Sequence, residues 1–181
     1  GYIDSFNQIH ELHVFLSEKL CGEVIPELEK VFEKLLRVLE GVFLLKELTN
    51  RSLDFVLGSG ELLSSLIVSR FFSEGEKEVK WFDSRDVIVT DSQFGNAKVN
   101  DSLTDQNIKE AANEFTDVNV FPGFIACTNS KEPTTLGRGG SDYSASILAS
   151  ALEVEMLEIW TDVDGIMTAD PRKVRRSRTL E

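Results

Sequence analysis

The chain has 181 residues, 41% hydrophobic and 28% charged, the balance of a soluble globular protein long enough to bury the core of one domain. Its formal net charge of −12 argues against non-specific nucleic-acid binding, so an anionic ligand is expected in a small basic pocket and not on a broad basic face. Cys21 and Cys127, without CxxC spacing, indicate neither a disulfide framework nor a zinc site and read as free thiols of a cytoplasmic protein, and with no signal peptide or apolar run of about 18 residues no membrane is expected.

Residues 2–20 place Ile3, Phe6, Ile9 or His10, His13 and Leu16 or Leu20 at three- and four-residue intervals, which predicts an amphipathic helix. His10 and His13 are neighbours on it, but no Cys, Glu or Asp motif completes a metal site. The chain has no initiating Met and is helical from Tyr2, so it is expected to be a piece of a longer protein. Residues 24–45 carry a second stripe, Val24, Leu28, Val31, Leu35, Val38 and Val42, opposite a charged face of Glu29, Lys30, Glu33, Lys34 and Arg37. Pro26 suits a first turn. A third helical stretch opens at Asn50–Asp54. Each glycine inside a helix costs about 1 kcal/mol relative to Ala, so Gly58-Ser59-Gly60 predicts a break, with a new helix carrying Leu62, Leu63, Leu66, Ile67 and Phe71. Glu61 at its start would either receive the amino group of a ligand or serve only as an acid near a helix N-terminus.

From Val79 the pattern changes. Val79–Phe82, Val87–Thr90 and Ala97–Val99 read as short strands bounded by turn residues, Thr104–Phe115 as a helix capped by Thr104, and Val118–Cys127 as β-prone chain split at Pro122 and Gly123. Val154–Trp160 reads as a further strand, followed by Thr161 and Asp162, polar residues where α/β sheets place ligands. The basic run Arg172, Lys173, Arg175, Arg176, Arg178 near the end of the chain would meet nucleotide phosphates or be a solvated tail. Strands alternating with helices predict an α/β fold with a largely parallel sheet.

The most informative stretch is Thr134-Thr135-Leu136-Gly137-Arg138-Gly139-Gly140-Ser141-Asp142. Its glycines let backbone N–H groups approach a ligand, and the apolar spacing of Ile147, Leu148, Ala151 and Leu152 starts a helix there. Ser141 or Asp142 is the expected N-cap. Arg138 adds a planar cation suited to a carboxylate or phosphate. The stretch reads as an oxyanion clamp; the alternative is a glycine-rich strand-to-helix turn with an ordinary cap.

Together with Ile159-Trp160-Thr161-Asp162-Val163-Asp164-Gly165-Ile166 and Asp170-Pro171-Arg172, this stretch resembles aspartate kinase, and Trp81-Phe82-Asp83, Phe94-Gly95, Gly123-Phe124-Ile125 and Gly60-Glu61 extend the resemblance over most of residues 50–175. Trp81-Phe82-Asp83 and Thr134-Thr135 are more similar to the single-function, lysine-regulated branch than to the form fused to homoserine dehydrogenase. The resemblance implies a three-layer α/β/α amino-acid kinase fold, with residues 1–181 forming part of one catalytic domain, mainly helical over 2–75 and α/β over 76–181. It implies transfer of the γ-phosphoryl group of ATP, carried with Mg2+, to the β-carboxylate of L-aspartate in a protein that is a homo-oligomer when full length. Arg138 would hold a substrate carboxylate with Gly139 and Ser141 nearby, Glu61 would meet the amino group, and Phe124 would line the pocket. Asp142 would organise the site around a catalytic lysine. Thr161, Asp162, Met167 and Arg172 would contact the nucleotide.

The family's Lys-Phe-Gly-Gly-Thr-Ser strand, its later Lys-Val-Leu-His-Pro segment and its ACT domains do not occur in this sequence. Met167 stands where an aromatic residue is usual, and Gly58 where Ser is commoner. Without the strand's lysine the 181 residues alone are expected to show little or no kinase activity. Two alternatives remain: a kinase for another acidic substrate such as glutamate or acetylglutamate, or a non-catalytic module that binds nucleotide or amino acid.

Overall fold

The computed structural model describes residues 1–160, 165, 167–170 and 173–178. Three helices come first: α1 (Tyr2–Cys21), α2 (Pro26–Leu45) and α3 (Asn50–Phe72). The three helices pack through Leu28, Phe32 and Leu35 of α2, Cys21 of α1 and Leu63 and Ile67 of α3, with Phe6 and Leu16 of the expected stripe beside them, while its Ile3 and Ile9 are exposed. Ser17 ties the α1–α2 turn, its hydroxyl donating to Glu23 O (2.7 Å) and accepting from Ile25 N (3.0 Å). The histidine pair belongs to this packing: His10 bonds Glu29 Oε1 at 2.8 Å, and both imidazoles meet the Phe32 ring edge-on.

The expected break at Gly58-Ser59-Gly60 does not occur, and α3 runs through it as one helix. Packing supplies the reason for the first glycine. A Cβ on Gly58 would stand 3.0 Å from Ile125 Cγ2, so the missing side chain lets the helix lie directly on the neighbouring strand. A Cβ on Gly60 would meet nothing within 4 Å. Glu61 therefore sits within α3 and not at a helix N-terminus.

Beyond α3 the chain alternates as an α/β fold: β1 (Val79–Trp81), the single-turn α4 (Ser84–Val87), β2 (Val89–Thr90), α5 (Asp101–Ala111), β3 (Val118–Val120), β4 (Ile125–Thr128), β5 (Pro133–Thr135) and α6 (Gly140–Ala151). β1 pairs in parallel with β3, Trp81 opposite Val120; β2 pairs in parallel with β4, which pairs antiparallel with β5. Val87, Ile88, Ala126 and Leu136 form a second core with Ile108 of α5 and Ala151 of α6. α3 links the two halves: Trp81 Nε1 donates to Ser65 Oγ at 2.9 Å, and the helix packs along β5.

Three further expectations are corrected. Ala97–Val99 is no strand; only the bridge Thr90–Val99 forms, because residues 91–98 close into a turn in which Asp91 accepts from Gln93 N and Lys98 N. Thr104 is not a cap. Asn100 caps α5 by accepting from Leu103 N, while the buried Thr104 hydroxyl accepts from Val89 N at 3.0 Å and so serves β2 in place of a strand partner. Val154–Trp160 is irregular, with Met156 and Trp160 exposed; a strand needs a ladder partner, and none lies beside it among the described residues.

Candidate active site

β5 delivers the chain into Leu136-Gly137-Arg138-Gly139 and then α6. Gly137 (φ 73°) and Gly139 (φ 76°) both adopt the left-handed conformation that disfavours a side chain. At Gly137 space forbids one as well, since a Cβ would lie 2.8 Å from Asn96 Oδ1. The helix starts earlier than the sequence suggested: Gly139 is the N-cap, no side chain caps the helix, and Ser141 and Asp142 fall in the exposed first turn. The earliest i→i−4 bond is Tyr143 N to Gly139 O at 3.0 Å. The N–H groups of Ser141 and Asp142 precede it and are open to a ligand oxygen.

Phe124 forms the facing wall. It too has positive φ (69°), uncommon for an aromatic residue, and two hydrogen bonds hold it there: its N–H donates to Ser144 Oγ (2.9 Å) and its carbonyl accepts from Leu136 N (2.9 Å). Two glycines admit this geometry. A Cβ on Gly140 would come within 2.7 Å of Phe124 Cδ2, and one on Gly123 within 3.0 Å of Ser141 Cα.

Glu61 completes the arrangement from α3. It lines one open cavity of about 370 Å3 with Phe124, Arg138, Gly139, Ser141 and Asp142, so six sequence-selected residues come together from three separate parts of the chain. Burial raises the Glu61 carboxyl above the usual glutamate range. Neither Glu61, Arg138 nor Asp142 forms an ion pair among the described residues. The cavity thus offers one cation, a partly desolvated carboxyl and open helix amides to a small ligand bearing both charges. A larger cavity, about 460 Å3, lies between α5 and α6, but Asp101, Asp105 and Tyr143 line it without any Lys or Arg, which unsuits it to an acidic ligand.

Of the nucleotide-side expectations, Thr161, Asp162 and Arg172 lie outside the described residues. Met167 is half-buried and does not line the 370 Å3 cavity. Sequence reasoning missed Asp54, a fully buried acid bonded to Thr135 at the end of β5, and Ser144, which anchors Phe124. Asp54 left one signal, its position seven residues and two helical turns before Glu61.

The fold and the site together define an α/β domain whose glycine-rich strand-to-helix turn sets an arginine and a carboxyl around one small cavity. Residues 9–181 match the amino acid kinase family, and the chain belongs to it. Among curated relatives, it is 37% identical to the lysine-sensitive aspartokinase 3 of Escherichia coli over 158 residues, covering 82% of this chain and 35% of that protein. It is 33% identical to a chloroplastic bifunctional aspartokinase/homoserine dehydrogenase of Daucus carota, covering 99% of this chain and 20% of that protein. Among solved structures, E. coli aspartokinase III in complex with aspartate and ADP superposes with a TM-score of 0.88 at 31% identity, over 99% of this chain and 41% of that one. The chain spans less than half the length of these relatives, and both single-function and bifunctional proteins are among them.

Proposed function

We propose that the chain is part of the catalytic domain of an aspartate kinase, which phosphorylates the β-carboxylate of L-aspartate to give 4-phospho-L-aspartate, the entry to lysine, threonine and methionine synthesis. The observation that carries this reading is the shared cavity of Arg138 and Glu61, whose charges match the substrate's carboxylate and ammonium. The E. coli structure that holds aspartate and ADP supports it through its fold. ATP with Mg2+ supplies the phosphoryl group; this chain's residues position and stabilise.

Arg138 holds a carboxylate in a planar two-donor grip. Glu61 takes the ammonium and fixes which carboxylate faces outward. The Phe124 ring closes one side and limits water. As a substrate oxygen bonds to the γ-phosphorus and the bridging P–O bond to ADP breaks, negative charge spreads over the transferred group, and the N–H groups at the α6 N-terminus stabilise it without reorganising. Asp142 in the same turn orients the catalytic lysine of the full-length protein. Thr161, Asp162, Met167 and Arg172 contact the nucleotide. Mg2+ would be held chiefly by the phosphates and water. We further infer a cytoplasmic, homo-oligomeric full-length protein.

The test is hydroxylamine-trapped phosphorylation of L-aspartate by the full-length parent and its Arg138→Ala variant, with L-glutamate as alternative acceptor. Product from aspartate, lost in the variant, supports the reading. Turnover of glutamate alone moves the chain to another acidic substrate, and a folded parent without product makes it a binding module.

A further inference from the structure

We propose that Asp54 is a positioning residue that sets the charged walls of the substrate cavity relative to each other without touching the ligand; this rests on the function proposed above. Asp54 is 1% exposed and does not line the cavity. All of its hydrogen-bond partners among the described residues are donors: Gly95 N at 2.8 Å and Thr135 N at 3.2 Å to Oδ2, and the Thr135 hydroxyl at 2.7 Å to Oδ1. It forms no ion pair among the described residues. A buried carboxyl held this way is costly unless every bond is kept.

Those three bonds join three segments at one point. Asp54 lies on α3, on the same face as Glu61 two turns later. Thr135 ends β5, three residues before Arg138. Gly95 belongs to the turn that underlies the clamp: a Cβ on Gly137 would lie 3.3 Å from Gly95 O and 2.8 Å from Asn96 Oδ1, and Ala97 N donates to Thr135 O at 3.1 Å. The Asp54 carboxyl therefore links the helix that carries the anion of the cavity, the strand that leads to its cation, and the turn that supports the loop between β5 and α6. Asp54→Ala would lose all three bonds, whereas Asn could keep them by turning its oxygen to the two backbone N–H groups and its NH2 to the Thr135 hydroxyl, which can also accept. A displacement near 1 Å in such a frame is enough to spoil binding.

The experiment measures KM for L-aspartate and for ATP separately in the full-length parent, Asp54→Ala, Thr135→Val and Thr135→Ser. Asp54→Ala is expected to raise KM for aspartate by about tenfold or more with KM for ATP changed less than about twofold. Thr135→Val, which deletes only the hydroxyl, raises it in the same direction, and Thr135→Ser recovers it relative to Val. If Asp54→Ala does not fold, the Thr135 pair reads the same contact. An equal rise in both KM values, or a fall in kcat with both KM values unchanged, describes a general structural residue and overturns the proposal, as does an unaltered aspartate KM in Thr135→Val. A parent that does not phosphorylate aspartate overturns the function and this inference together; a parent that does, with unmoved variants, overturns only the inference.

Discussion

Gly140 lies so close to Phe124 that a Cβ there would sit 2.7 Å from the ring's Cδ2 and 3.2 Å from its Cα. The backbone at Gly140 is helical, so the demand for glycine is one of space and not of conformation. Gly140→Ala must displace Phe124 or Leu136, and forced overpacking of this kind costs about 1–3 kcal/mol. Denaturant unfolding should show that loss, with weaker aspartate binding because the displaced ring is a wall of the cavity. Gly139→Ala makes the complementary case. It meets nothing within 4 Å but has φ 76°, so its cost is backbone strain of about 1–2 kcal/mol.

Arg138 is exposed and unpaired among the described residues, so stability does not depend on it. Arg138→Ala is expected to unfold within about 0.5 kcal/mol of the parent while losing most of the affinity for aspartate. Arg138→Lys keeps the charge and loses the planar fork, and should fall between the two. Paired unfolding and aspartate titrations check both halves; a large loss of stability would show that the guanidinium holds the loop together.

Local pattern carried much of this molecule. The helical stripes of residues 2–45 and the split at Pro122-Gly123 each depend on neighbours in sequence, and the charged cavity was legible because Arg138 and its glycines are adjacent. What escaped was set by distant partners. The cap of α6 moved to Gly139 because the turn's left-handed glycines start the helix there, and Thr104 became a surrogate strand partner for Val89. The bonds of Asp54 to Gly95 and Thr135 join residues 41 and 81 positions away, beyond any periodicity argument. Val154–Trp160 has strand composition, but pairing and not composition makes a strand.

The glycines of α3 separate packing from propensity. Gly60→Ala meets open space inside a helix and should stabilise by about 0.5–1 kcal/mol. Gly58→Ala gains the same propensity but drives a methyl to 3.0 Å from Ile125 Cγ2, on a side chain that is 1% exposed. The overpacking term, about 1–3 kcal/mol, exceeds the gain, so the net change is destabilising. Thermal unfolding of the two variants should move in opposite directions. A common sign would mean that β4 yields to the helix.

Burial raises the Glu61 carboxyl above its unfolded value, and this fixes the sign of two pH effects. Between the unfolded and folded pKa values the native state holds the proton more tightly, so the unfolded state binds fewer protons and stability falls as pH rises through that window. Glu61→Gln removes the ionisable group and should abolish that fall: the variant gains on the parent as pH rises through the window, and the advantage disappears below the ordinary glutamate range. Melting temperature against pH for both proteins reads this directly. Under the proposed function aspartate affinity runs the other way, because the substrate ammonium would need the ionised carboxyl. The parent should bind aspartate more weakly as pH falls through the raised pKa, and Glu61→Gln should bind weakly at every pH. An aspartate titration curve for the parent that stays flat across the acidic range would remove Glu61 from the ammonium.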